Sequence, residues 1–174
     1  MSGDAEMESD GVLGLLVARA LWMVQGDAAP TAIDAATRAL VQGVDSSPLR
    51  ELAGAATDMN VFELGALIDA ALSSAGIDVS EMTEDQALQL SARHYVRCVL
   101  RGQMSARECA GWAHSRIGHE GPDWAQELVE LDDDYDSFSG GWGHEPDWAQ
   151  TLERFLIASE GVADRWEGNR PPAS

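Results

Sequence analysis

Apolar positions along this chain recur every three or four residues, and alternation of apolar with polar positions is not sustained anywhere. That spacing lines one face of an α-helix, so the chain reads as all-α. Ser9 or Asp10 can cap a first helix running to Gln25, with Gly26 as its stop. Pro30 suits the first turn of a second, in which Ile33, Ala36, Leu40 and Val41 form one stripe before Gly43. "SSPLRELAG" predicts a short helix from Ser47 to Ala53. Asn60 can cap the next, where Val61, Leu64, Leu67, Ile68, Ala71 and Leu72 keep helical spacing up to Gly76.

Two starts are sharper. Thr83 stands three residues before Gln86, and Ser105 three before Glu108. Each is a capping box, in which the hydroxyl and the later side chain each satisfy an otherwise unpaired backbone N–H. They predict helices from Glu84 to Leu100 or Arg101 and from Ser105 to about Ile117, joined closely enough to lie antiparallel. Leu88, Ala92, Tyr95, Val96 and Val99 should then pack against Cys109, Trp112, Ala113 and Ile117.

The chain next writes nearly the same words twice, "GHEGPDWAQELVE" from Gly118 and "GHEPDWAQTLER" from Gly143. Proline costs no hydrogen bond at a first helical turn, and the aspartate after it favours the positive end of the helix dipole. Both copies therefore predict helix starts, one helix from Pro122 to about Leu131 and one from Pro146 to about Ser159, stopped by Gly161. The Ser- and Gly-rich "DDDYDSFSGGWG" between them reads as a loop that the two helices present. The expected architecture is a single-domain helical bundle of about seven helices with short loops over residues 9–166. A flexible acidic N-terminus, 1–8, and a flexible tail, 167–174, flank it.

Charge changes this picture more than composition does. The 174 residues carry a formal charge of −19, and 45% of them are hydrophobic. That apolar fraction supports a core. The charge argues against nucleic acid and anionic membrane as partners and favours a basic one. All eleven basic residues are arginine. Arg93, Arg97 and Arg101 share one helix face, and the stretch from Ile117 to Glu153 holds eleven acidic residues and no basic one. Internal charge balance is the expected use of that strip. Cys98 and Cys109 sit in helical patterns and read as buried thiols. The first ten residues are acidic where a signal peptide would be basic, and Val12 to Val24 is short for a membrane span and contains Arg19. A cytoplasmic protein is expected.

Metal chemistry finds little pattern. His119-Glu120 and His144-Glu145 offer imidazole and carboxylate near the Asp132–Asp136 cluster, but there is no HExxH. Read as a calcium loop, the cluster would need glycine where Ser137 stands and a carboxylate where Gly143 stands. No metal and no cofactor is expected, and no nucleophile elbow, P-loop or dinucleotide fingerprint is present. Trp124 and Trp148, matched within the repeat, read as core. Trp142, in "SGGWGHE", reads either as a loop anchor folded back or as an exposed aromatic beside carboxylates, the composition of a hot spot for an Arg- or Lys-rich partner.

The phrases "SSPLRELAG", "VFELGALIDAALSSAGI" and "ARHYVRCVLRGQMSARECAGWAH" resemble a loose group of all-helical actinobacterial proteins of uncharacterised activity, with a Ser-Pro-x-Leu-Arg-x-Leu-Ala-Gly phrase and an Arg-rich helix hairpin. The resemblance spans roughly residues 45–136. It implies a helical fold and a bacterial source, transfers no catalytic residue, and does not extend to the repeat around Trp124 and Trp148.

The function expected from these residues is non-catalytic. Asp132, Asp133, Asp134, Asp136, Trp142 and Glu145 would engage a basic protein, as an immunity protein covers a nuclease toxin. The alternatives are a metal-dependent hydrolase using His119, His144 and the Asp132–Asp136 cluster, and a helical scaffold with no site, its acidity serving only solubility.

Overall fold

A computed structural model describes residues 10–168, among which every regular element is helical. The elements are α1 (Gly11–Gln25), α2 (Ala29–Val41), α3 (Ser47–Ala53), α4 (Val61–Ser74), α5 (Glu84–Leu100), α6 (Ala106–Arg116), a 3-10 turn (Asp123–Ala125), α7 (Gln126–Ser139), α8 (Trp148–Ala158) and α9 (Glu160–Trp166). The all-α reading holds, with nine α-helices among the described residues where spacing predicts about seven. The expected flexible segments, 1–8 and the tail beyond Gly168, lie outside those residues.

Contacts gather into two compact units. Among the described residues, one comprises those up to Ser91 together with Asp164–Gly168, and the other is Ala92–Ala163. In the first, α2 packs on α1 and α3, and α4 on α3 and α1. Small side chains set how closely α1 meets α2. A Cβ at Gly11 would lie 2.2 Å from the Ala39 backbone nitrogen, and Ala32, Ala35, Ala36 and Ala39 on the facing helix are fully buried. Asp10 caps α1 by accepting from the Val12 and Leu13 amides, and Asn60 caps α4 by accepting from Phe62 and Glu63. Trp22 lies against Gly65 of α4 and donates from its indole nitrogen to the Val61 carbonyl at 2.6 Å.

The second unit carries the features of functional interest. Its core joins Ala92, Val96 and Val99 of α5 to Cys109 and Ala113 of α6, Leu128 and Val129 of α7, and Leu152 and Phe155 of α8. Tyr95, Trp112, Ile117, Trp124 and Trp148 pack half-buried against it. This is the expected α5–α6 pairing, except that Leu88 belongs to the first unit. Trp124 and Trp148 both pack against this core, but the two copies differ: Trp124 lies in the 3-10 turn, whereas Trp148 opens α8, where the Asp147 side chain accepts from the Gln150 amide. Both capping boxes form: the Thr83 amide donates to Gln86 and the Gln86 amide to Thr83, and the Ser105 and Glu108 amides do the same for each other's side chains.

Two expectations are corrected. "DDDYDSFS" is not a loop, because α7 continues through it to Ser139. Aspartate and serine are poor helix formers, but Leu128 and Leu131 are buried and Tyr135 is packed against the core, so burial outweighs propensity. The chain turns only at Gly140 and Gly141, the latter at φ 87°. Gly161, read as a stop, lies inside α9 and is exposed there.

Candidate functional site

The C-terminal end of α6, the turn after it and the middle of α7 bring the chemistry of the second unit together. Helix α6 closes with the Ile117 and Gly118 amides both donating to the Ala113 carbonyl, and Gly118 takes φ 72°. That left-handed residue reverses the chain. It places His119 beside the last turn of α6, with its ring centroid 5.0 Å from that of His114. Helix α7 packs along α6 and supplies the carboxylates.

His114 Nδ1–H donates to Asp132 Oδ2 at 2.7 Å. A carboxylate accepts only, so the proton of this bond sits on the imidazole. The same nitrogen stands 3.8 Å from Asp133 Oδ1, and His119 Nε2 stands 3.1 Å from Asp133 Oδ2. One donor atom each from His114, His119 and Asp133 lies within 4.8 Å of the others. All three side chains are partly open to solvent, with fractional exposures of 37%, 52% and 48%.

Further along α7, Arg107 donates from Nη2 to Asp136 Oδ1 at 2.6 Å and from Nη1 to Ser139 Oγ at 2.7 Å. Its guanidinium also lies over the Tyr135 ring, 5.9 Å from the centroid. Burial pushes the Tyr135 phenol above its ordinary range, the Glu145 charge adds to that, and Arg107 opposes it.

The six residues expected to form a docking surface are therefore divided. Asp132 and Asp133 face the two histidines, and Asp136 faces Arg107. Asp134, Trp142 and Glu145 are exposed, and Trp142 retains 77% of its surface. Trp142 is not a folded-back anchor. Its amide donates to the Ser137 carbonyl while its indole stays in solvent. Phe138, one turn earlier, is also exposed, at 42%. Sequence spacing alone did not single it out.

His144 stands outside the histidine pair, so the His119/His144 pairing is replaced by His119 with His114. His114 is the residue that pattern reading missed. Its signal is the spacing to His119 across a helix-stopping glycine, which becomes a pair only once Gly118 adopts positive φ. Arg93 does not reach the aspartates either. It is buried, and donates to the Leu156 carbonyl at 2.9 Å and Ser159 Oγ at 2.7 Å.

Among the described residues, no helix is long and apolar enough to cross a membrane. No protein-family model matches the chain, and neither a curated protein nor a solved structure gives a match.

Proposed function

We propose that the second unit is a non-catalytic docking module for a basic protein, of the kind an immunity protein presents to a nuclease toxin. The observation that carries this reading is the pairing of exposed aromatics with exposed carboxylates along α7 and in the loop after it. Glu127, Glu130, Asp134 and Phe138 fall three or four residues apart, on one helical stripe. Trp142 lies just beyond it, with Glu145 in the following loop. Glu127 is engaged by Arg154 at 3.1 Å; Glu130 and Asp134 on the stripe, and Glu145 in the loop, are exposed.

The two components have different physical tasks. A net charge of −19 steers a cationic partner and raises its encounter rate. Phe138 and Trp142 would supply apolar and cation–π contact once the partner has arrived, and so govern how long it stays. Asp132, Asp133 and Asp136 contribute field, but their hydrogen-bonding capacity is partly spent within the chain.

The test uses an arginine-rich peptide as probe, with a glutamine-substituted peptide of equal length as control, read by stopped-flow tryptophan emission. The expected result is association that slows with added salt and with Glu130→Arg, Asp134→Arg and Glu145→Arg combined, and faster dissociation in Trp142→Ala. Association unaffected by the three reversals, or equal binding of the control peptide, would overturn the reading.

A further inference from the structure

We infer that His114, His119 and Asp133 form a binding site for a divalent transition-metal ion of the zinc type, with Asp132 positioning His114. The site is independent of the docking stripe. It uses the side of α7 that faces α6.

Zinc binds imidazole nitrogen and carboxylate oxygen at about 2.0–2.2 Å, which sets tetrahedral ligand atoms roughly 3.3 Å apart. His119 Nε2 and Asp133 Oδ2 already stand at 3.1 Å, and all three donor atoms fall within 4.8 Å. Closing the remaining gap takes side-chain rotation, which the partial exposure of all three permits. The backbone that holds them is fixed: α6 ends in a left-handed glycine at Gly118, and α7 is anchored through buried Leu128, Val129 and Leu131.

Donor chemistry selects the ion. Magnesium and calcium prefer oxygen ligands throughout. Two imidazoles with one carboxylate suit zinc and its first-row neighbours. In the ion-free arrangement His119 Nε2 and Asp133 Oδ2 face one another directly. A metal ion between them is held by the lone pair of a neutral imidazole and by the carboxylate, and any proton on the ring leaves to solvent.

The third observation is the hydrogen bond behind His114. Asp132 Oδ2 accepts from His114 Nδ1 at 2.7 Å, and Asp132 is the least exposed of the carboxylates here, at 20%. The Nδ1 edge that Asp132 holds is also the edge nearest Asp133, 3.8 Å from its Oδ1, so bringing Nε2 to the ion takes reorientation of the ring. A carboxylate on Nδ1 then fixes the tautomer and leaves Nε2 as ligand, the usual support for a metal-bound histidine. Three protein ligands on an open face leave a fourth position for water or for an acceptor on another molecule. Two adjacent aspartates thus take different roles: Asp133 binds and Asp132 positions.

The experiment is calorimetric titration of the chelator-treated full chain with zinc chloride, and separately with magnesium chloride. One zinc per chain is expected, with no comparable magnesium binding. His114→Ala, His119→Ala and Asp133→Asn should each weaken zinc by at least tenfold, and Asp132→Asn by about 10–100-fold, the usual effect of losing such a support. His144→Ala should leave affinity unchanged. In the unaltered protein, zinc should shift the imidazole NMR signals of His114 and His119 and spare those of His144. Absence of stoichiometric zinc binding, equal affinity for magnesium, or binding that survives the His114→Ala/His119→Ala double change would overturn the site. So would titration in which neither imidazole signal moves. None of these outcomes depends on the arginine-rich peptide.

Discussion

Arg107 and Asp136 are joined across 29 residues of sequence by a 2.6 Å hydrogen bond between Nη2 and Oδ1. This ion pair lies in the last turn of α7. Aspartates in the last turns of a helix meet the negative end of its dipole. A guanidinium from α6 offsets that, and it also bonds Ser139, the last residue of α7. The helix therefore reaches Gly140 and carries Phe138 and Trp142 outward with it.

Replacing Arg107 with alanine should fray that end without unfolding the unit. The pair is half exposed on both sides, so the expected global cost is within about 1 kcal/mol. Hydrogen exchange would show the local effect, as faster exchange of the amides of residues 138–142 with those of residues 128–132 unchanged. Uniform acceleration across α7 would mean that Arg107 supports the whole helix.

This relationship also marks the boundary of what was legible. Asp10, Asn60, Thr83 with Gln86, and Ser105 with Glu108 each satisfy backbone groups within three residues, so sequence spacing suffices to find them. The path of "DDDYDSFS" depends on Arg107, and on the burial of Leu128 and Leu131 against partners remote in sequence. Turn-forming residues therefore gave the wrong local reading. The candidate site divides in the same way. Exposure of Trp142 was one of two open readings. His114 joined the site only through the Gly118 turn and a helix that returns eighteen residues later.

Two glycines should respond in opposite directions to alanine. Within a helix, alanine is favoured over glycine by about 1 kcal/mol. At Gly161 nothing lies within 4 Å of the added carbon, so Gly161→Ala should stabilise by up to about 1 kcal/mol. At Gly11 the new Cβ would lie 2.2 Å from the Ala39 nitrogen and 2.6 Å from the Ala35 oxygen, both backbone atoms that cannot rotate away. Gly11→Ala should therefore destabilise by about 1–3 kcal/mol despite its better propensity. Urea midpoints for the two variants check the signs, and a stabilised Gly11→Ala would mean that α1 and α2 pack less closely.

The thiols should differ in reactivity. Burial, with a smaller contribution from Cys98, pushes the Cys109 thiol up to about 12, whereas Cys98 is half-buried. At that value about one Cys109 in ten thousand is ionised at pH 8, and the thiolate is the reactive form. A disulfide reagent at pH 8 should modify Cys98 first, and Cys109 only on unfolding. The raised value also sets a direction for stability. The neutral thiol is favoured in the fold, so its contribution is complete below the unfolded value near 9 and declines as pH rises toward 12. Equal reaction of both thiols in the folded chain would contradict the burial of Cys109.

Arg93, Arg97 and Arg101 recur every four residues along α5 and the residue after it, yet they do not share one environment. Arg93 is buried, and its Nη1 donates to the Leu156 carbonyl and the Ser159 hydroxyl at the C-terminal end of α8. A cation there also meets the negative end of that helix dipole. Arg101, the residue after α5, is exposed, and its Nε donates to the Arg97 carbonyl in the last turn of that helix. Arg93→Ala removes charged hydrogen bonds worth about 1.5–3 kcal/mol each, and the packing of the side chain's stem as well. Relief of the cost of burying a cation offsets part of that sum, so Arg93→Ala should lower unfolding free energy by about 2–4 kcal/mol, whereas Arg101→Ala should stay within about 0.5 kcal/mol. Urea unfolding followed by tryptophan emission separates the two. Arg93→Met, which keeps the stem and loses the charge, divides the cost further: recovery of most of the stability would assign it to packing, and little recovery to the bonds at the end of α8. A loss below about 1 kcal/mol in Arg93→Ala would mean that α8 does not depend on this arginine for its C-terminal end.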